Sequence, residues 1–287
     1  MKKILFLFAI LAIGFTSFSQ SLLWKISGKD LKSPSYFYGT IHIQDQRVFA
    51  FDSTVLKALT SCDAFAMEVL MDQLDVNAVQ TSLYMPKGKT LSGMMSKEDF
   101  ARLDSLCKAK LGASAIFFNT MKPFFLSSAL EQMDMAQDKE DALDVFFLKK
   151  AREAQKTCFG LEEYMDQINA IDAFSEKDQL EMLLQYINDT EHGTEEFDSL
   201  LVSYLASDLD GMLSMTSGED YPKKFKKVLV DNRNVTMANE FVKIGKERTV
   251  FTAVGAAHLA GKKGVLALLK KKGYTVEPVP FNWITEN

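Results

Sequence analysis

The sequence predicts an α/β fold, a single compact unit whose β-sheet is built from both ends of the chain around a large helical insertion. Strand-like runs occur before residue 71 and after residue 247, whereas the middle of the chain has apolar residues at helical spacing. A strand-like run ends in Gly-x-x-His twice, at Tyr36–His42 and at Val250–His258. Because sites in open α/β sheets lie at neighbouring strand ends, we expect the two histidines to meet.

The N-terminal elements follow a β-β-α-β order. Leu22–Ser27 and Tyr36–Ile43 read as a hairpin, since Gly28–Pro34 between them is rich in turn-forming residues. Asp52–Ser61 reads as a short helix with an acidic or hydroxyl cap. Asp63–Leu70 then returns to a strand.

The middle of the chain is predicted to be helical on both sides of one strand. The first helical stretch is an insertion over about residues 72–155, and the second covers about residues 163–245. Thr157–Leu161 reads as a strand between them. The chain closes with a strand at Arg248–Val254, a helix at Lys262–Lys272 that ends before Gly273, and a last strand after it.

Residues 1–19 read as a signal peptide. Lys2 and Lys3 precede a short apolar run, and Ser17 and Ser19 suit the cleavage positions, which leaves Gln20 as the mature N-terminus. A retained anchor is the alternative, but the run is short for a membrane span. No later stretch reads as a transmembrane helix. The sequence therefore predicts a periplasmic or secreted domain over residues 20–287.

Composition restricts the partners and the redox chemistry. An apolar content of 47% suits a large core, and a net charge of −5 without basic clusters argues against nucleic acid or anionic membrane as the main partner. Cys62, Cys107 and Cys158 show no metal-ligand spacing. Export permits a Cys62–Cys158 disulfide, and three buried thiols are the other possibility.

The candidate site residues follow predicted strands. His42 and His258 end the two repeated phrases, while Glu68 and Glu162 end the strands Phe-Ala-Met-Glu-Val and Cys-Phe-Gly-Leu-Glu. Each also has a structural interpretation, as a hydrogen-bonded histidine or a partly exposed glutamate. Two imidazoles and a carboxylate are the ligand set of catalytic divalent metal sites. We therefore predict His42, His258 and Glu68 as ligands of an ion of the Mn, Co or Zn type, or Glu68 as a general base.

Further candidates are less specific. Arg233 either begins a solvated helix, with Asn232 or Asn234 as its cap, or pairs with Glu162 or an oxyanion. Arg47 is a weaker candidate for the oxyanion role. Phe124 and Phe125 suit an apolar cleft or the core. The chain has no His-Glu-x-x-His motif, which excludes ordinary zincin geometry.

Several of these phrases together resemble the TraB/GumN family. The resemblance is carried, in chain order, by Tyr-Phe-Tyr-Gly-Thr-Ile-His, Ala-Met-Glu-Val, Gly-Leu-Glu, Arg-Asn and Val-Gly-Ala-Ala-His-Leu-Ala-Gly-Lys-Lys-Gly. It implies the motif histidines His42 and His258 and the glutamate Glu68 of metal-dependent proteases such as the TIKI proteins. Glu163 and Tyr164 follow Gly-Leu-Glu where the family often has threonine, so the role of Glu162 stays open. A more distant likeness to erythromycin-esterase-like hydrolases implies that a histidine–glutamate pair can activate water without metal.

Two classes of function fit these features. The first is an exported metal-dependent hydrolase that cleaves peptides or a small-molecule substrate. The second is a non-enzymatic periplasmic protein that binds a peptide, a metal or a haem-like ligand.

Overall fold

The centre of the fold is a six-stranded sheet. The computed structural model describes residues 21–216 and 222–284, apart from the side chains of residue 71 and residues 190–194. The strands of the sheet are β1 (Leu23–Ser27), β2 (Ser35–Thr40), β3 (Ala64–Met67), β4 (Thr157–Gly160), β5 (Val250–Gly255) and β6 (Thr275–Pro278). These elements confirm the predicted α/β class and the assembly of the sheet from both parts of the chain.

The strand order is β4-β3-β5-β2-β1-β6. The pairs β4–β3, β3–β5 and β5–β2 are parallel, whereas β1 is antiparallel to both β2 and β6. The late strand β5 therefore lies between β3 and β2, which come from the first part of the chain. Four adjacent strands thus present their carboxyl ends at one edge of the sheet.

Helices fill the connections and cover both faces of the sheet. Their bounds are α1 (Ser53–Ser61), α2 (Val76–Ser82), α3 (Leu91–Met94), α4 (Lys97–Leu111), α5 (Pro123–Gln132), α6 (Leu143–Glu153), α7 (Tyr164–Asp172), α8 (Glu176–Asn188), α9 (Thr190–Leu205), α10 (Leu209–Met215), α11 (Asn232–Glu247), α12 (Ala256–Leu259) and α13 (Val265–Lys271). A π-helical turn at Lys227–Asp231 leads into α11.

Local sequence signals explain several helix ends. Ser96 accepts a hydrogen bond from the backbone of Asp99 and begins α4, and Gly112, with φ of 69°, ends it. Ser175 forms a capping box with Asp178 at the start of α8. These polar and glycine residues satisfy backbone groups that a helix end leaves unpaired.

The C-terminal helix differs from its predicted bounds. We expected it to begin at Lys262, but α13 begins at Val265 because Gly264 is its N-cap. A turn closed by the Gly264 N–H and the Gly261 carbonyl occupies the preceding residues. His258 also lies in the one-turn helix α12 that follows β5, rather than at the end of the strand itself.

Two hydrophobic clusters hold the molecule together. The larger one surrounds the sheet, where the Tyr38 ring contacts Phe147 of α6 on one face and Phe37 contacts Phe241 of α11 on the other. Each fully buried side chain of this size stabilises the fold by about 1.5–3 kcal/mol. The smaller cluster lies among α3, α4, α5 and α8, away from the sheet.

The remaining predictions about the chain have mixed outcomes. Cys62, Cys107 and Cys158 are buried free thiols, so the Cys62–Cys158 disulfide is absent. No helix in residues 21–216 and 222–284 is long and apolar enough to cross a membrane. The predicted signal segment, residues 1–19, lies outside the described residues.

Candidate active site

The four predicted acid and histidine side chains follow four adjacent parallel strands. Glu162 comes after β4, Glu68 after β3, His258 after β5 and His42 after β2. Because these strands run in the same direction, their carboxyl ends bring the four side chains to one edge of the sheet. Arg233, from the first turn of α11, reaches the same place.

His258 is held in one orientation by a neighbouring amide. Its Nδ1 lies 2.7 Å from Oδ1 of Asn234, and the amide nitrogen of Asn234 donates to the carbonyl of Lys263 at 3.0 Å. Since the amide oxygen can only accept, Nδ1 of His258 carries the hydrogen and Nε2 carries the lone pair. Nε2 lies 3.7 Å from Oε1 of Glu68. Burial lowers the pKa of His258 to about 4, so the ring is neutral at neutral pH.

His42 has a different partner and a different charge. Its Nδ1 lies 3.0 Å from Oδ1 of Asp144, and 61% of its side chain is exposed. The charge of Asp144 is the main cause that raises the pKa of His42 to about 9, and Glu68 adds to it. At neutral pH, His42 is therefore protonated and His258 is neutral, although both belong to one site.

Arg233 joins the two buried glutamates. Its Nη2 donates to Oε2 of Glu68 at 2.6 Å and also to Oε1 of Glu162, while Nε lies 3.0 Å from Oε2 of Glu162. Gln167 donates to Oε1 of Glu162 at 2.9 Å and to Oε2 of Glu68 at 3.3 Å. Nη1 of the arginine is held by the carbonyl of Leu229 at 2.9 Å. Hydrogen bonds to Glu68, Glu162 and the Leu229 carbonyl thus hold the guanidinium of Arg233 in one orientation.

The two glutamates differ in acidity. Burial favours the neutral acid of Glu68. In the acid range where Glu68 titrates, both imidazoles are protonated, and together with Arg233 and the Gly255 N–H they outweigh burial and lower its pKa to about 2. Burial raises the pKa of Glu162, and the hydrogen bonds from Arg233 and Gln167 oppose that rise. Glu68 is therefore the more firmly ionised carboxylate.

Gly255 forms the floor of the site. Its N–H donates to Oε1 of Glu68 at 2.8 Å. A Cβ at this position would lie 3.3 Å from that oxygen, 3.5 Å from Cδ2 of His258 and 3.8 Å from Nε2 of His42. The missing side chain therefore leaves a small space that a carboxylate oxygen and both imidazoles surround.

A cavity of about 390 Å³ lies beside this space. Its polar wall includes His42, Glu68 and Arg233 but neither His258 nor Glu162, and its other wall is apolar. The lining residues include Met67, Val69, Phe124, Val145, Ile171 and Leu229 beside His42, Glu68, Asp144, Gln167 and Arg233. Phe124 is thus part of the cleft wall, as one of the two interpretations of this residue expected.

The donor chemistry suits a divalent cation, although the spacing is not that of a closed metal site. In the described part of the chain, no group of three or more His, Cys, Asp or Glu side chains lies at metal-ligand distances. One oxygen of Glu68 is instead bonded to Arg233. However, the other oxygen of Glu68 borders the space above Gly255 and lies 3.7 Å from Nε2 of His258. Once His42 loses its proton, three carboxylates (Glu68, Glu162 and Asp144) against one guanidinium leave two negative charges.

Sequence reasoning missed three residues of this site. Asp144 and Gln167 lie near the starts of α6 and α7, where a polar residue is ordinary, and Asn234 was considered only as a helix cap. Asn234 is fully buried inside α11 and bonded to His258. Arg47 does not reach the site, because it pairs with its neighbour Asp45. A histidine that binds a metal through one ring nitrogen usually donates a hydrogen bond from the other. A search for an acceptor near each motif histidine is therefore what could have identified Asp144 and Asn234.

Comparisons with known proteins place the chain among metalloprotease relatives of low identity. Metalloprotease TIKI2 of Danio rerio is 21% identical over 91% of this chain and 61% of its own length. Metalloprotease TIKI1 of Homo sapiens is 22% identical over 91% of this chain and 62% of its own length. Metalloprotease TIKI homolog of Nematostella vectensis is 23% identical, over 91% of this chain and 67% of its own length.

The chain spans about three fifths of the length of the first two relatives. No solved structure matches it. The model of the TraB/PrgY/gumN family matches residues 22–278, which include all six strands and every residue of the site described above. The chain belongs to the TraB/PrgY/gumN family.

Proposed function

We propose that this chain is an exported, metal-dependent hydrolase that cleaves peptides. The observation that carries the proposal is the delivery of His42, Glu68, Glu162 and His258 to one edge of the sheet by four parallel strands, next to a cleft with an apolar wall. The names of the metalloprotease relatives support the same class of reaction.

His42, His258 and Glu68 would hold the ion, of the Mn, Co or Zn type. Such an ion lowers the pKa of a bound water and polarises a carbonyl when it is present. With both imidazoles neutral, the two net negative charges of the site match the charge of a divalent cation, so binding of the ion would release the proton of His42. Glu68 serves either as the third ligand or as the general base, since its Oε1 faces the same space as the imidazoles.

The other residues orient and balance these groups. Arg233 offsets the charge of Glu68 and Glu162, and its guanidinium is positioned to stabilise negative charge that develops on a substrate oxygen. Gln167 holds both carboxylates in place. The apolar wall around Phe124 receives substrate side chains and excludes water.

The test is turnover of a peptide library by the full-length protein, with added Mn²⁺, Co²⁺ or Zn²⁺ and with a chelator. We expect His42→Ala, His258→Ala and Glu68→Gln each to abolish cleavage, with the double histidine variant little worse than either single one. The chelator should have the same effect. His192→Ala, at the third histidine of the chain, is the matched control and should keep full activity.

Other outcomes would replace the proposal. Cleavage that survives exhaustive chelation but not His42→Ala would identify a metal-free histidine base. Stoichiometric retention of intact peptides without cleavage under any metal would identify a binding protein.

We also propose that the exported domain comprises residues 20–287, with helical regions over about residues 72–155 and 163–245. The lysine pair, the short apolar run and the small residues before Gln20 support this boundary. N-terminal sequencing of protein from the native host should begin at Gln20. A first residue of Met1 would contradict it.

A further inference from the structure

Asp144 is the partner of one motif histidine, yet it belongs to no motif. It lies in the first turn of α6, after Leu143, and its Oδ1 is 3.0 Å from Nδ1 of His42. Only 14% of its side chain is exposed, and its buried Oδ1 accepts no well-aligned hydrogen bond in the described part of the chain, so the 3.0 Å contact with His42 is a close ion-pair contact. A buried carboxylate without a partner is costly, and His42 is the polar group that the described residues place beside this oxygen.

The main chain fixes this contact. The Leu143 N–H donates to the Ile43 carbonyl at 3.2 Å, and the Lys139 N–H donates to the Gln44 carbonyl at 3.0 Å. The segment before α6 is therefore paired with the segment that follows His42. The proximity of Asp144 and His42 follows from these backbone bonds and does not depend on a flexible side chain.

His258, the second motif histidine, also has an oxygen beside its Nδ1, but this oxygen belongs to an amide and not to a carboxylate. Asn234 accepts from Nδ1 of His258 and is locked in that orientation by the Lys263 carbonyl. In each case an oxygen lies at Nδ1, on the side of the ring away from the space above Gly255. Nε2 of His42 lies 3.8 Å from the position of a Cβ on Gly255, and Nε2 of His258 lies 3.7 Å from the Glu68 Oε1 that borders the same space.

We propose that Asp144 is a positioning residue, which holds His42 with its hydrogen on Nδ1 and its Nε2 lone pair directed at the space above Gly255. Asp144 does for His42 what Asn234 does for His258, with a carboxylate in place of an amide. The ion-binding part of the test rests on the proposed function, whereas the part that concerns the hydrogen position does not.

The direct test is ¹⁵N NMR of the imidazole rings in full-length protein labelled at histidine and free of metal. The chain has three histidines, so three rings are to be assigned. At pH 10, where the rings are neutral, we expect His42 and His258 to carry the hydrogen on Nδ1. In Asp144→Ala the hydrogen of His42 should move to Nε2, the tautomer that free histidine prefers, while His258 stays unchanged.

A second measurement is the affinity for Zn²⁺ by calorimetry at pH 8. Loss of an acceptor that orients a histidine ligand weakens metal binding by about 10- to 100-fold. We expect a loss of that size in Asp144→Ala and recovery to within a few-fold in Asp144→Asn, since the amide oxygen can still accept. Asp99→Asn removes a first-turn acid of α4 that pairs with Ser96 and Arg102 and, in the described part of the chain, contacts neither motif histidine, so it should change neither property.

The outcomes separate the two proposals. An unchanged His42 tautomer in a folded Asp144→Ala protein, a hydrogen that also moves to Nε2 in Asp144→Asn, or an equal change in Asp99→Asn would overturn the positioning role. A wild-type protein that binds no divalent ion but shows the expected tautomers would overturn the metal proposal alone.

Discussion

Gly39 and Gly255, the glycines of the two Gly-x-x-His phrases, have different structural roles although their sequence contexts are alike. A Cβ on Gly39 would lie 3.1 Å from the Cα and Cβ of Ala256 and from Cδ1 of Leu259, which are packed atoms of α12. A Cβ on Gly255 would meet the polar groups of the site instead. Gly39 thus permits α12 to pack on β2, and Gly255 leaves room between the imidazoles.

We therefore predict that Gly255→Ala impairs Zn²⁺ binding, whereas Gly39→Ala lowers the free energy of unfolding. Gly255 has φ of −51°, which alanine adopts without strain, so its variant should keep its stability within about 1 kcal/mol and lose most Zn²⁺ affinity. Gly39→Ala should lose about 1–3 kcal/mol through overpacking. Urea unfolding and calorimetry of both variants measure this, and a stable Gly39→Ala protein beside an unstable Gly255→Ala protein would contradict it.

The neutral ring of His258 also predicts how stability depends on pH. Its folded pKa of about 4 is below its ordinary value of 6.5, so the unfolded chain takes up a proton first as the pH falls. The free energy of unfolding should therefore decrease between pH 6.5 and about 4, by at most about 1.4 kcal/mol per pH unit. Glu68, with its lowered pKa, adds to the loss only below about pH 4.5.

The measurement is urea unfolding of metal-free protein from pH 4.5 to 6.5. His258→Gln should flatten the slope in this window. His42→Gln is the control, because the raised pKa of His42 gives a stabilisation that is complete below pH 6.5 and lost as the pH rises through about 9. An equal slope in wild type and His258→Gln would refute the neutral, buried state of this ring.

The site residues that follow strands could be predicted from the sequence, and their partners could not. Glu68 interrupts a buried apolar strand, which marks it as a carboxylate that needs a partner. Asp144 and Gln167 carry no such mark, since helix starts are ordinary places for polar residues. Only the paired main chain before α6 reveals that Asp144 faces His42.

At the scale of elements, α11 and the π-helical turn before it hold the arginine of the site. The turn places the Leu229 carbonyl within 2.9 Å of Nη1 of Arg233, and the first turn of α11 directs the guanidinium at Glu68 and Glu162. The helix itself could be predicted from apolar spacing, but a π-helical turn leaves no recognisable period in a sequence. The bounds near Gly264 were missed because a glycine cap there divides what reads as one helix.

We predict that this arginine is also a structural residue. Arg233→Met leaves two buried carboxylates without their cation, which should lower the free energy of unfolding by about 3–5 kcal/mol. Adding Glu162→Gln should recover part of that loss, with a coupling of about 0.5–3 kcal/mol in a double-mutant cycle measured by urea unfolding. An additive cycle would mean that Arg233 and Glu162 do not stabilise each other.

At the scale of the whole molecule, the two hydrophobic clusters predict two levels of stability. Leu103 belongs to the smaller cluster, among α3, α4, α5 and α8, whereas Val250 belongs to the core around the sheet. Because locally packed helices can open without the sheet, hydrogen exchange should be faster in α4 and α5 than in β5. We expect β5 to be well protected, because it lies inside the sheet between the parallel strands β3 and β2.

Leu103→Ala and Val250→Ala form the matched pair for this prediction. Leu103→Ala should speed exchange in α4, α5 and α8 and leave β5 nearly unchanged. Val250→Ala should speed exchange throughout. Equal acceleration of β5 by both variants, measured by mass spectrometry, would show that the molecule opens as one unit.

The position of β5 also determines when the candidate site can assemble during synthesis. During synthesis, β1, β2, β3 and β4 leave the ribosome early, but β2 and β3 have no neighbour in common until residues 250–255 appear. His258 follows even later, so a shorter nascent chain lacks the strand that brings His42 and Glu68 together. Under the proposed export of an unfolded chain, the site would therefore assemble only after residues 250–258 have been translocated.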